Sequence, residues 1–203
     1  MNAADNRPGW GSASVVLLAL IALLLYACRD TVTGVLGMWN QFEAGEFAHG
    51  YLVLAISLYM VFAKRRQLAL ETPCSYAPAL FALALGSGLW LVARLVEVQL
   101  VQAFAVLVMM IAVIWVITGN RIALKFLLPV AFLMFAIPVW SPLSPLLQQL
   151  TADVVYSMVR VAGLPAMRQD YLIILPYGSL SIEEACSGLR YLLAALTLGV
   201  LYA

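Results

Sequence analysis

The chain has 203 residues, of which 65% are hydrophobic and only 10% are charged. Soluble domains carry about 25% charged residues, so this composition excludes an ordinary soluble domain and indicates a protein that crosses the membrane several times. The net charge of +1, with no basic tract, gives no indication of nucleic acid as a partner.

Cysteine and histidine usage argues against two kinds of site. The three cysteines, Cys28, Cys74 and Cys186, stand at unrelated spacings, and His49 is the only histidine. Such a set fits neither a zinc site nor a disulfide framework. We therefore expect neither a metal nor another cofactor.

Six apolar runs predict six transmembrane helices in an all-α fold that forms one integral-membrane domain over residues 1–203. The runs are residues 13–27, 47–63, 77–93, 98–118, 122–139 and 189–203. A membrane-spanning helix needs about 20 apolar residues, and the shorter runs reach this length once flanking residues enter the interface. The first run could instead be a signal sequence, but no small-x-small cleavage site follows it.

The positive charges predict the orientation of these spans. Lys64, Arg65 and Arg66 form the densest positive cluster, which the positive-inside rule places in the cytoplasm. Alternation then puts residues 29–46, 94–97 and 140–188 outside. The predicted inner segments carry six basic and two acidic residues, and the outer segments carry five and eight. In a bacterium, Cys186 would thus lie at the periplasmic face of the inner membrane.

The outer segment 141–187 has a pattern of its own. An amphipathic helix is predicted from Pro145 onwards, and it either lies on the bilayer or caps the bundle. Its apolar positions are Leu146, Leu147, Leu150, Val154, Met158 and Val161, and its polar positions are Gln149, Asp153, Ser157 and Arg160. Residues 171–175, the turn at 176–178 and the alternating residues 179–183 predict a small β-hairpin before the cysteine.

Cys186 is the best candidate for a nucleophile. A cysteine at a helix start lies near the positive end of the macrodipole, and Arg190 adds a second positive charge. Ser187 and Gly188 are small and leave the sulfur approachable, whereas Glu184 disfavours the thiolate. The alternative is a buried, unreactive cysteine.

His49 is the one histidine that could serve Cys186 as a base, because the predicted topology places both residues at the outer face. The alternative is a structural role, in which the imidazole forms hydrogen bonds at the membrane interface.

The residues around Cys186 resemble the active-site motif of the exosortase and archaeosortase family of membrane enzymes. Residues 184–190 read Glu-Ala-Cys-Ser-Gly-Leu-Arg, and the hairpin before them contains Leu-Pro-Tyr-Gly at 175–178. His49-Gly50, followed by Leu52-Val53, resembles the family's histidine-glycine signature near the second span. The resemblance extends from about residue 30 to the end of the chain.

The resemblance implies a cysteine protease and transpeptidase with Cys186 as its nucleophile. Members of the family are expected to cleave exported proteins at a C-terminal sorting tail, made of a Pro-Glu-Pro-type (PEP) motif, a hydrophobic span and a basic stop. They transfer the new carboxyl end to an acceptor at the cell surface, and are associated with exopolysaccharide genes. The implied partners are therefore these exported proteins and the lipid bilayer.

The sequence departs from the family pattern downstream of the cysteine. The proposed triad contains an arginine and a histidine on later helices, but no histidine follows His49 and no arginine follows Arg190. We therefore expect a C-terminally incomplete exosortase that is inactive by itself.

Two other interpretations remain open. In the first, the chain is a minimal enzyme in which His49 acts as the base. In the second, it is a non-catalytic membrane subunit of an exopolysaccharide export or assembly system. Cys186 is then structural or joined by a disulfide to Cys28, since both thiols are predicted to lie outside.

Overall fold

The computed structural model describes residues 10–40, 49–69 and 71–202, a mostly helical fold with one small antiparallel sheet. The α-helices of these residues are α1 (Trp10–Ala27), α2 (Arg29–Trp39), α3 (Gly50–Ala63), α4 (Arg65–Ala69), α5 (Ala79–Leu95), α6 (Gln99–Thr118), α7 (Asn120–Phe132), α8 (Leu143–Val161) and α9 (Leu189–Tyr202). The strands are β1 (Met167–Gln169), β2 (Leu172–Leu175) and β3 (Gly178–Ser181). The same described ranges contain three short 3₁₀ helices, Leu133–Phe135, Pro138–Trp140 and Glu184–Ser187.

Two helices of the described residues, α1 and α6, are long and apolar enough to cross a membrane. The apolar segments in α3, α5 and α9 are shorter. α6 is the centre of the bundle and packs against α1, α2, α5 and α7. Its alanines at 103, 105 and 112 are buried, and such small side chains let neighbouring helices approach closely. The structure thus confirms the helical fold, while six membrane spans stay a prediction.

The predicted fifth span, residues 122–139, is not one continuous helix. α7 ends at Phe132 and is followed by two 3₁₀ helices. Pro138 disfavours helical geometry in the residue before it, and Ile137 is extended with φ −110° and ψ 158°. Pro129 lies inside α7, where its carbonyl accepts a hydrogen bond of 2.8 Å from the Ser57 hydroxyl.

α2 is a helix in a region that the sequence predicted only as an outer loop. Thr31, Val35 and Trp39 are buried at intervals of four residues, so one side of this short helix packs on the bundle. The indole N–H of Trp39 donates a 2.6 Å hydrogen bond to the Ala136 carbonyl. The packed side begins with a polar residue, Thr31, so the sequence shows only a weak apolar pattern in this region.

Polar contacts divide the loops between two ends of the bundle. At the Arg94 end, the guanidinium of Arg94 lies 2.6 Å from the carboxylate of Asp30. At the Glu71 end, the Lys125 ammonium lies 2.7 Å from the Glu71 carboxylate, and the Trp10 indole donates to the Glu71 carbonyl at 2.6 Å. This grouping of loops is the one that the alternating topology requires. Which end faces outwards stays a prediction.

Candidate active site

The predicted hairpin before Cys186 is present and belongs to a three-stranded sheet with the order β1-β2-β3. β2 and β3 are antiparallel, with Leu175 opposite Gly178 across the turn. Ile173 of β2 and Ile182 after β3 are buried against Ala152 of α8, so the hairpin packs on that helix. β1, which the sequence did not predict, pairs with the other side of β2.

Cys186 lies in the 3₁₀ helix Glu184–Ser187, between the hairpin and α9. Its backbone N–H donates to the Glu183 carbonyl at 2.9 Å. The residue is exposed, so the structure does not support the alternative of a buried, unreactive cysteine. A thiol at this position is accessible to a peptide carbonyl that approaches from solvent.

A tight turn joins the cysteine to α9. Gly188 has φ +72°, a left-handed conformation that glycine adopts without the steric cost of a Cβ. The Ser187 hydroxyl oxygen accepts the Leu189 N–H at 3.3 Å and thereby caps the helix start. Leu189 and Leu193 are fully buried in the main hydrophobic cluster of the bundle. The cysteine is therefore held close to the N-terminal end of a helix that Leu189 and Leu193 anchor in this cluster.

Two residues of α8 that the sequence analysis did not single out hold the cysteine segment. The Gln148 amide donates to the Ile182 carbonyl. The Thr151 hydroxyl donates to the Leu147 carbonyl of its own helix at 2.9 Å and also lies 3.4 Å from the Cys186 carbonyl. The spacing of three residues between Gln148 and Thr151 places both on one side of α8. Both lie close in the chain to Ala152, which is buried. Polar residues near a small residue of a predicted helix were the only sign in the sequence that this side of α8 makes contacts.

The apolar positions predicted for α8 are largely exposed. Leu146, Leu150, Val154, Met158 and Val161 all remain accessible, and they form one stripe along the helix. α8 thus carries the sheet and the cysteine segment on one side and presents an unpaired apolar stripe on another. An interfacial membrane helix has this arrangement.

His49 precedes α3 and contacts the first 3₁₀ helix. Its Nε2 donates to the Phe135 carbonyl at 3.0 Å, because a carbonyl can only accept. A base role would therefore fall to Nδ1. The Trp39 indole binds the next carbonyl, that of Ala136. His49 and Trp39 therefore both anchor the segment that contains Phe135 and Ala136. The pairing of His49 with Cys186 stays a prediction.

The other predicted supporting residues lie around the cysteine in the chain. Glu184 lies in the 3₁₀ helix and Arg190 in the first turn of α9, and their side chains are outside the described part of the structure. Ser187 is buried, and its hydroxyl caps α9.

The remaining cysteines are free thiols in different surroundings. Cys28 is buried against α6, and burial raises the pKa of its thiol, an effect that Arg94 partly offsets. Cys74 is exposed at the Glu71 end, where its N–H donates to the Thr118 carbonyl. Cys28 and Cys186 are not joined in the structure. Within residues 10–40, 49–69 and 71–202, no cluster of three or more His, Cys, Asp or Glu side chains could hold a metal ion.

Comparison with known families identifies the family to which the chain belongs. A family model described as transmembrane exosortase matches residues 38–203, which is most of the chain. The chain belongs to the transmembrane exosortase family. Membership places it in the membrane and among proteins with a sorting transpeptidase type of role. No curated protein and no solved structure matches the chain.

Proposed function

We propose that Cys186 is the nucleophile of a transpeptidase that cleaves the Pro-Glu-Pro-type tail of exported proteins and transfers them to a cell-surface acceptor. The Cys186 thiolate attacks the scissile carbonyl, and the C-terminal fragment leaves as an amine that takes up a proton. The resulting thioester joins the substrate's new carboxyl end to Cys186. A nucleophilic group of the acceptor then attacks the thioester and releases the thiol.

The observation that carries this proposal is the exposed position of Cys186 in the short turn between a hairpin and a helix. α9 begins three residues further along, at Leu189, and the dipole at its N-terminal end favours negative charge on the sulfur and on a developing oxyanion. Family membership supports the same chemistry.

His49, Glu184, Ser187 and Arg190 have supporting roles in this proposal. Arg190 follows Cys186 by four residues in the sequence, and its positive charge is proposed to favour the thiolate, while Ser187 orders the start of α9. His49 acts through the segment that it anchors, or as the base through Nδ1. The Arg94 end, with Cys186, faces the periplasm, and six helices span the inner membrane.

A sorting assay in cells tests this function. The chain is co-expressed with a reporter that carries a Pro-Glu-Pro-type tail, and tail removal is followed by a gel shift. Wild type and Cys186→Ala are compared, and a version extended by the family's later helices serves as positive control. We expect processing by the extended version to be lost completely in its Cys186→Ala form.

The same assay separates the remaining interpretations. Processing that survives in the Cys186→Ala form contradicts the proposal. Processing by the 203-residue chain itself would show that the catalytic machinery is complete within it. His49→Gln in the extended version then tests the histidine, because unchanged transfer excludes it as the base.

A further inference from the structure

β3 is an edge strand that leads directly to Cys186. It lies at one side of the sheet order β1-β2-β3, and all four of its residues are exposed. Only residues 182–185 separate its end from the cysteine. An exposed edge strand offers unpaired backbone groups to another extended chain. β3 contains no proline and no charged residue, the features by which proteins commonly protect such an edge.

The opposite edge strand, β1, carries a charged side chain that binds α8. β1 carries Arg168, whose guanidinium binds the Asp153 carboxylate of α8 and also donates to the Asp170 carbonyl at 2.8 Å. That edge is therefore charged and tied to the helix. β3 is the edge suited to accept a further strand.

The register shows which backbone groups of β3 face β2 and which face away from it. Ile182, the residue after β3, donates its N–H to the Tyr171 carbonyl at 2.9 Å, and the ladder places these two residues opposite each other. They therefore form a hydrogen-bonded pair. Such pairs alternate with non-hydrogen-bonded pairs along an antiparallel ladder, which fixes the direction of every backbone group in β3.

It follows that Gly178 and Leu180 direct their backbone groups to β2. Ser179 and Ser181 direct their N–H and C=O groups away from β2, towards the open side of the sheet. These two residues provide two donors and two acceptors in a row, spaced as a neighbouring strand requires.

A cleft borders the same strand. It has a volume of about 440 Å³ and is lined mainly by apolar groups of the hairpin and of the turn after α8. Pro165, Pro176 and the fully exposed ring of Tyr177 belong to this lining. In peptide binding by strand addition, backbone hydrogen bonds supply affinity and such clefts receive alternate side chains.

We propose that the substrate polypeptide binds as an added strand along β3, paired with Ser179 and Ser181, so that its scissile bond extends beyond Ser181 to Cys186. This inference rests on the proposed function and names its mode of substrate recognition. The occupant is an extended, proline-containing segment, because its backbone complements the open edge and its apolar side chains fit the cleft.

Pairing along one edge also accommodates a Pro-x-Pro sequence. A strand that pairs on one side uses the N–H of every second residue only. Prolines two positions apart can therefore both occupy the positions that need no N–H, while the residue between them pairs with β3. An α-helical or two-sided arrangement would require an N–H that proline lacks.

Backbone methylation of a peptide tests this pairing. The purified Cys186→Ala chain in detergent is titrated with short fluorescent peptides that contain Pro-Glu-Pro, and the dissociation constant is measured by fluorescence anisotropy. N-methylation of the glutamate, or of the first residue after the motif, should weaken binding about tenfold, since it removes a hydrogen bond and inserts a methyl group between the strands. N-methylation of the second residue after the motif should leave binding unchanged.

Substitution of β3 gives the matching test on the chain. Ser181→Pro removes the outward N–H at a position where an edge strand tolerates proline, and it should weaken binding about tenfold. Ser181→Ala keeps the N–H and should bind as the parent does. Hydrogen exchange of the β2 amides checks that the hairpin remains folded, and the peptide series remains decisive if it does not.

Either of two results overturns the inference: equal effects of N-methylation at all three positions, or no binding up to about 1 mM peptide. Because binding is measured without the nucleophile, it is independent of the sorting assay. If sorting requires Cys186 but backbone methylation leaves the dissociation constant unchanged, strand addition is rejected and the proposed function is retained. If affinity depends on the methylated position as predicted but no sorting occurs, the docking surface is supported and the reaction is rejected.

Discussion

At the scale of single residues, the position of Cys186 depends on side chains of α8 far away in sequence. Gln148 is the stronger of the two contacts, since its amide donates to the Ile182 carbonyl between hairpin and cysteine. A hydrogen bond of this kind contributes about 1 kcal/mol, or about fivefold in a local opening equilibrium. We predict that Gln148→Leu speeds hydrogen exchange of the amides at 183–188 about fivefold.

The neighbouring Gln149 supplies a matched control for this prediction. It is exposed, and its side chain lies on another side of α8. Gln149→Leu makes the same chemical change and should leave exchange at 183–188 as in wild type. Equal exchange rates in the two variants would show that the Gln148 contact does not hold the segment.

The residue scale also shows what local chemistry can and cannot predict. Cys186 was predictable as an accessible thiol because small neighbours and a helix start are visible in the sequence. The roles of Gln148 and Thr151 were not, since each contacts a carbonyl more than 30 residues away. Such contacts depend on how α8 packs against the sheet, and a single sequence does not contain that information.

At the scale of elements, the turn into α9 should be the most sensitive point near the site. Gly188 has φ +72°, where an added Cβ costs about 1–2 kcal/mol. We predict that Gly188→Ala lowers the free energy of unfolding by about 1 kcal/mol, measured as a decrease in melting temperature in detergent.

Gly199, in the interior of α9, is the control for this change. It has open space around an added Cβ and no positive φ. Alanine favours a helix interior over glycine by about 0.5–1 kcal/mol, so Gly199→Ala should raise the melting temperature. Equal shifts in both variants would contradict a special role of the turn.

Elements with a clear period were predicted well, and those without one were not. α8 and the β2–β3 hairpin agree with the prediction because helical spacing and strand alternation are each unambiguous there. α2 was missed because polar Thr31 occupies a buried position of a short helix. The break after Phe132 was missed because the composition stays apolar through residue 139. Pro138 changes the backbone conformation of the residue before it and leaves the apolar pattern intact.

At the scale of the whole molecule, the two exposed cysteines report on membrane orientation. Cys186 belongs to segment 140–188, which the sequence predicts to lie outside, and Cys74 lies at the Glu71 end of the bundle. Cys28 should not react, because its thiol is buried, and burial also raises its pKa and so lowers the fraction of the thiolate that alkylation requires. The predicted orientation therefore gives the native chain one reporter for each face.

We predict that a membrane-impermeant maleimide added to intact cells modifies Cys186 and leaves Cys74 unmodified, as the positive cluster at 64–66 requires. Permeabilised cells should show both adducts by mass spectrometry. Cys186→Ala and Cys74→Ala identify each adduct. Labelling of Cys74 in intact cells would reverse the orientation and place Cys186 in the cytoplasm. A thiol on that side could not meet an exported protein after its translocation, so this single reversal would also remove the proposed substrate.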